Sequence, residues 1–149
     1  MATLLALPIS SNGGVTATAK SRPTAPKAYR GTWYHYWKKD PTMMKAGLEK
    51  IVITKHGFKQ SWGNERLKAT KHLAIGKVHY RNHVGYTFAP KNAIGNATVY
   101  VHTTLKIQGK RHPVLVVMPQ GISGPIAYTH FKPGKHQYRA SVAFLKSLE

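Results

Sequence analysis

The residues best able to do chemistry are nine histidines: His35, His56, His72, His79, His83, His102, His112, His130 and His136. An imidazole can ligate a metal or move a proton near neutral pH. Metal sites usually join His to carboxylates, or set two His at i, i+2 or i, i+4 on one element. His79 and His83 are four apart, but Arg81-Asn82 between them reads as a turn. No His-Glu-x-x-His is present, and neither Asp40 nor Glu65 has a His at ligand spacing. The histidines are therefore read as solvated strand residues among Lys and Tyr. No metal and no cofactor is expected.

Nucleophilic chemistry finds no better support. The chain has no Cys, hence no thiol nucleophile, thiolate zinc site or disulfide. It has no Gly-x-Ser-x-Gly, and Asp40 is its single Asp. Ser123 lies among Pro119, Gly121, Gly124 and Pro125, which reads as a loop. Glycoside hydrolysis needs two placed carboxylates, for which Glu49 and Glu65 are the candidates. Both have basic neighbours, so both are read as exposed ion pairs. No catalytic residue is assigned, and the protein is expected to be non-enzymatic.

Charge carries more information. The 149 residues include 23 Lys+Arg against 4 Asp+Glu, a formal net charge of +19. Lys38, Lys39, Lys50, Lys55, Lys59, Lys68 and Lys71 space positive charge along the first half, with Tyr34, Tyr36, Trp62, Tyr80 and Tyr86 interleaved. Such a field concentrates polyanions at the surface. These seven lysines are the candidate polyanion-binding residues. The partners expected are anionic cell-wall polymers such as teichoic acids, or anionic lipid headgroups. Single-stranded nucleic acid on an OB-like barrel is the alternative. Protonation of all nine His, with an ordinary pKa of about 6.5, would carry the charge from +19 to +28. Binding is thus expected to tighten in acid.

The elements that must position these residues are mostly short strands. Alternation in Gly31–Trp37 puts Trp33, His35 and Trp37 on one face. Leu48–Lys55, Phe58–Trp62, Arg66–His72, Ile75–Arg81 and Val84–Phe88 follow, with Asp40-Pro41, His56-Gly57, Gly63-Asn64 and Asn82-His83 between segments. Ala97–Ile107 and Pro113–Met118, around Gln108-Gly109-Lys110, make the clearest hairpin. Ile126–Phe131 is the last strand. Tyr138, Val142 and Leu145 fall at helical spacing, predicting an amphipathic helix over Gln137–Leu148. A hydrophobic share of 42% suffices for an ordinary core.

The start of the chain reads differently. Residues 1–19 carry no charged side chain and run from the apolar Leu4–Ile9 to Ala17-Thr18-Ala19, the outline of a signal peptide without its basic n-region. They are read as a truncated signal peptide, which places the protein outside the cell or on its wall. Residues 20–28, with Pro23 and Pro26, read as an extended linker. The domain is then 29–149. No stretch offers about 20 apolar residues for a membrane span.

Tyr29-Arg30-Gly31-Thr32-Trp33-Tyr34 and Lys50-Ile51-Val52-Ile53-Thr54-Lys55-His56 resemble the opening strands of small, basic, secreted proteins of lactobacilli and their relatives. That resemblance implies secretion and a Lys-, His- and Tyr-rich strand fold, with no settled activity. Gly31-Thr32-Trp33 also resembles the Gly-x-Trp of the first strand of lipocalin-like barrels. This second likeness implies that Trp33 closes one end of a barrel against a basic side chain, and that a small apolar ligand could be carried. The fold class expected is mainly β: a single antiparallel, lipocalin-like barrel with a C-terminal helix.

Overall fold

The computed structural model describes residues 22–39, 45–117 and 125–148. The expectations for residues 1–19, for the break at Asp40-Pro41 and for the loop around Ser123 lie outside the described residues. Nine strands form: β1 Gly31–Trp37, β2 Gly47–Ile53, β3 Phe58–Trp62, β4 Lys68–Ala69, β5 Leu73–His79, β6 Val84–Pro90, β7 Val99–Ile107, β8 Lys110–Val117 and β9 Ile126–Thr129. They lie in one antiparallel sheet, in the order β4-β3-β2-β1-β9-β8-β7-β6-β5. The chain is thus two meanders joined where β9 returns to β1, at Tyr34 opposite Thr129. The sheet curls into a half-barrel.

The mainly β, antiparallel expectation holds. Its closure into a barrel does not appear among the described residues. β4 and β5, which follow one another in the chain, stand at the two ends of the strand order. The cause is local. Arg66–His72 was expected as a full strand, but only Lys68–Ala69 pairs with β3. Only Leu67 and Ala69 of this segment are apolar, which gives the core little to hold. His72 takes a φ of 53°, which ends extended backbone before β5 begins.

Alternation sorts the two faces of the sheet as expected. Trp33, Ile51, Ile53, Leu115, Ile126 and Tyr128 meet on the concave side in the main core cluster, each 3% exposed or less. Val114, Val116 and Ala127 form a smaller cluster on the convex side, under Leu105, Tyr138 and Phe144. The β7–β8 hairpin turns on Gln108-Gly109 alone, both at positive φ, and Lys110 already belongs to β8 opposite Ile107. A two-residue turn of this hand matches the twist of the strands it joins.

The expected C-terminal helix needs correction. The amphipathic helix over Gln137–Leu148 is not supported; a six-residue helical segment, Val142–Ser147, is all that forms. Tyr138 to Ala140 run extended instead. The Tyr138 carbonyl accepts from the Ala127 amide at 3.0 Å, and Arg139 makes a β-bridge to Ile126. β9 touches β1 at one register position only, so its remaining backbone groups on that side need partners. The tail supplies them, and that need outweighs the helical periodicity. The described part of the presumed linker is also docked rather than free. Ala25 is fully buried and its amide bonds to the Lys55 carbonyl at 2.8 Å. Lys27–Tyr29 then makes one 3-10 turn into β1.

Candidate functional site

The seven candidate lysines do not form one patch. Lys50 and Lys59 sit on β2 and β3, opposite Tyr34 and Val52 respectively. Lys38 and Lys39 follow Trp37 at one rim of the half-barrel. Lys55 and Lys71 lie at the other rim, beyond the Ile53–Phe58 pair and the Thr70 amide that bonds to the Phe58 carbonyl. Lys71 borders an open concavity of about 530 Å³ with His72, Lys91 and Asn92. Lys68 is placed differently, in a cleft that it shares with Glu49 and Glu65. Among the described residues no lysine forms an ion pair.

Trp33 is fully buried at the Lys55 rim of β1. Its indole N–H donates to the Tyr29 carbonyl at 2.8 Å, and its ring stacks on His130 at 3.6 Å between centroids. Gly31 makes room for this contact. It has a φ of +123°, and a Cβ there would lie 3.1 Å from the His130 ring. Tyr29 reaches across to the other meander. Its hydroxyl accepts from the His102 amide at 2.9 Å and faces the Tyr100 carbonyl at 3.2 Å. It sits between the Val84 carbonyl at the start of β6, 3.3 Å away, and the β7 backbone.

A second centre was not expected from the sequence. Register sets His35 directly opposite Glu49, and Glu49 opposite Trp62. Glu49 is 7% exposed. Its Oε1 accepts from the Trp37 indole N–H at 2.9 Å and from the Tyr128 hydroxyl at 2.6 Å. Its Oε2 accepts from the Gln60 amide at 2.7 Å. Every partner is neutral, so the reading of Glu49 as an exposed ion pair is wrong. Alternation with Ile51 and Ile53 was the signal that places it inside. Burial and the adjacent carboxylate push the Tyr128 hydroxyl well above the usual phenol range, so it remains a donor.

Trp37, Glu49, Gln60, Trp62, Glu65 and Lys68 line an open cleft of about 490 Å³ at the unpaired end of the sheet. Glu65 and Lys68 are exposed at its mouth. The Trp62 ring lies flat over Gly47, where a Cβ would come within 3.0 Å of three ring atoms. Gly47 thereby fixes how deep the indole can sit. Behind the Trp37 ring lies His35, its centroid 4.6 Å away. His35 Nδ1 donates to the Ala127 carbonyl at 2.9 Å, while its buried Nε2 has no partner. Burial, aided by the positive charge of Arg139 and only partly offset by the bond to Ala127, lowers its pKa to about 4.

The other histidines are dispersed. Among the described residues no group of three His, Cys, Asp or Glu is placed to hold a metal. No described helix is long and apolar enough to cross a membrane. No protein-family model, curated protein or solved structure matches the chain.

Proposed function

We propose that this is a non-enzymatic binder of anionic envelope polymers, acting outside the cell or at its wall. The observation that carries the reading is the state of the charges. Of the acids described, Glu49 is buried on neutral donors and Glu65 makes no ion pair among the described residues, while Lys38, Lys39, Lys55 and Lys71 stand exposed at the two rims. Little negative charge offsets the basic field. The rim concavity of Lys71, His72 and Lys91 is its best-formed anchor, because it gathers two ammonium groups and an amide side chain round one open space. Binding there exchanges condensed counterions for lysines, which makes it salt-dependent by nature.

The other readings have less behind them. A lipocalin-like carrier keeps one support in Trp33, which stacks on the basic side chain of His130. The concave side is filled by core side chains, and the clefts described open to solvent, which leaves an enclosed apolar ligand little room. An oligonucleotide reading has less architectural support, since an OB-fold is a five-stranded Greek-key barrel and this nine-stranded sheet is two meanders joined at β1 and β9.

A pull-down of the full chain tests the proposal. Purified wall teichoic acid, phosphatidylglycerol vesicles and a single-stranded oligonucleotide are immobilised and compared at equal phosphate and fixed low salt. Retention on teichoic acid at least as strong as on the oligonucleotide is expected. Failure to bind any envelope polyanion would sink the reading.

A further inference from the structure

We infer that the Trp37–Trp62 cleft is a binding site for a neutral saccharide. Burying a carboxylate such as Glu49 costs several kcal/mol unless it is hydrogen-bonded. An apolar residue beside Ile51 and Ile53 would complete the core without that cost. The chain instead places here one of its four acids and holds it with three neutral donors. Those donors orient the carboxylate without neutralising it. Oε1 accepts two hydrogen bonds and Oε2 accepts one. A carboxylate oxygen offers two lone pairs, so among the described residues one acceptor position on Oε2 is unfilled.

The rest of the cleft decides the ligand class. Thr70 brings a hydroxyl, and Lys68 at the mouth brings a donor. Glu65 and the Gln60 carbonyl oxygen bring acceptors. Trp62 presents a ring seated on Gly47, and Trp37 is fixed by its bond to Glu49. A cationic ligand would meet Lys68. An anionic one would meet Glu49 and Glu65. A purely apolar one would cover the free lone pair of Glu49 and leave it unsatisfied, a loss of affinity. A pyranose ring avoids all three faults. Its C–H face packs on indole, and its hydroxyls both donate and accept. A volume of about 490 Å³ lies within the range of small-ligand sites. The site stands independently of the polyanion reading, because it uses hydrogen bonds and aromatic surface rather than net charge.

The test titrates the full-length protein with cellotriose, maltotriose and the neutral, fully N-acetylated chitotriose. Tryptophan emission and calorimetry are followed at high salt, where charge-driven binding is screened. At least one trisaccharide should give a saturable emission change with matching heat. Trp62→Ala should abolish both. Trp62 is half-exposed, so the variant is expected to keep its melting temperature. Glu49→Gln, nearly isosteric, should weaken binding about ten-fold. Lys106→Ala, exposed on β7 in the other meander, should bind as wild type does. No response to any trisaccharide at millimolar concentration, or undiminished binding by Trp62→Ala, overturns the inference.

Discussion

His35 and Glu49 face one another across β1 and β2, and they solve the problem of a buried ionisable group in opposite ways. Glu49 is surrounded by donors. Glu49→Ala strands the Trp37 indole, the Tyr128 hydroxyl and the Gln60 amide, and is expected to cost about 2–4 kcal/mol in urea unfolding. His35 stays neutral instead. Its folded pKa of about 4 lies below the ordinary value of 6.5. The unfolded chain therefore takes the proton first as pH falls. Stability should drop between about pH 6.5 and about pH 4, by up to roughly 3 kcal/mol, and this contribution should then level off. His35→Phe should remove that part of the pH dependence. Urea midpoints at about pH 7 and about pH 4.5 check it, and equal slopes in both proteins would contradict it. Alternation alone placed Trp33, His35 and Trp37 together. It could not show which buried side chain would find a partner, because the partners come from β3 and β9.

The strands and hairpins were readable because their signals are local. Glycines, turn pairs and β-branched runs lie within a few residues of the effect they cause. The failures share a non-local cause. The tail around Tyr138 is drawn extended by unpaired backbone on β9, which no window over residues 137–148 contains. Ala25 and Tyr29 looked like linker and strand lead-in, yet their partners are Lys55 and the β7 backbone. The Tyr29 hydroxyl ties the first meander to the second. Tyr29→Phe leaves the half-buried His102 amide without its acceptor, and about 1–3 kcal/mol should be lost in urea unfolding, with the β-sheet circular dichroism signal unchanged. No loss of stability would mean that the bridge carries no weight. The cleft at the open end of the sheet has the same non-local origin. It exists because β4 stops after two residues, so the distribution of polar residues in Arg66–His72 leaves the Glu49 centre accessible.

The whole molecule combines a basic exterior with a polar cleft, and the two should respond differently to solution conditions. The simple sum of nine protonated His overstates the charge reached in acid. His35 stays out of it at about pH 5, and burial together with the nearby His130 lowers the pKa of His102 as well. Binding to polyanions should still tighten on acidification, but His35→Phe should leave that increase intact, which separates surface charge from core titration. The most direct test is the dependence of affinity for purified wall teichoic acid on salt. A log–log plot of the binding constant against salt concentration should fall steeply and linearly, and Lys71→Ala combined with Lys91→Ala should reduce the slope by about two. A flat line for the wild-type protein would contradict binding through the basic rim.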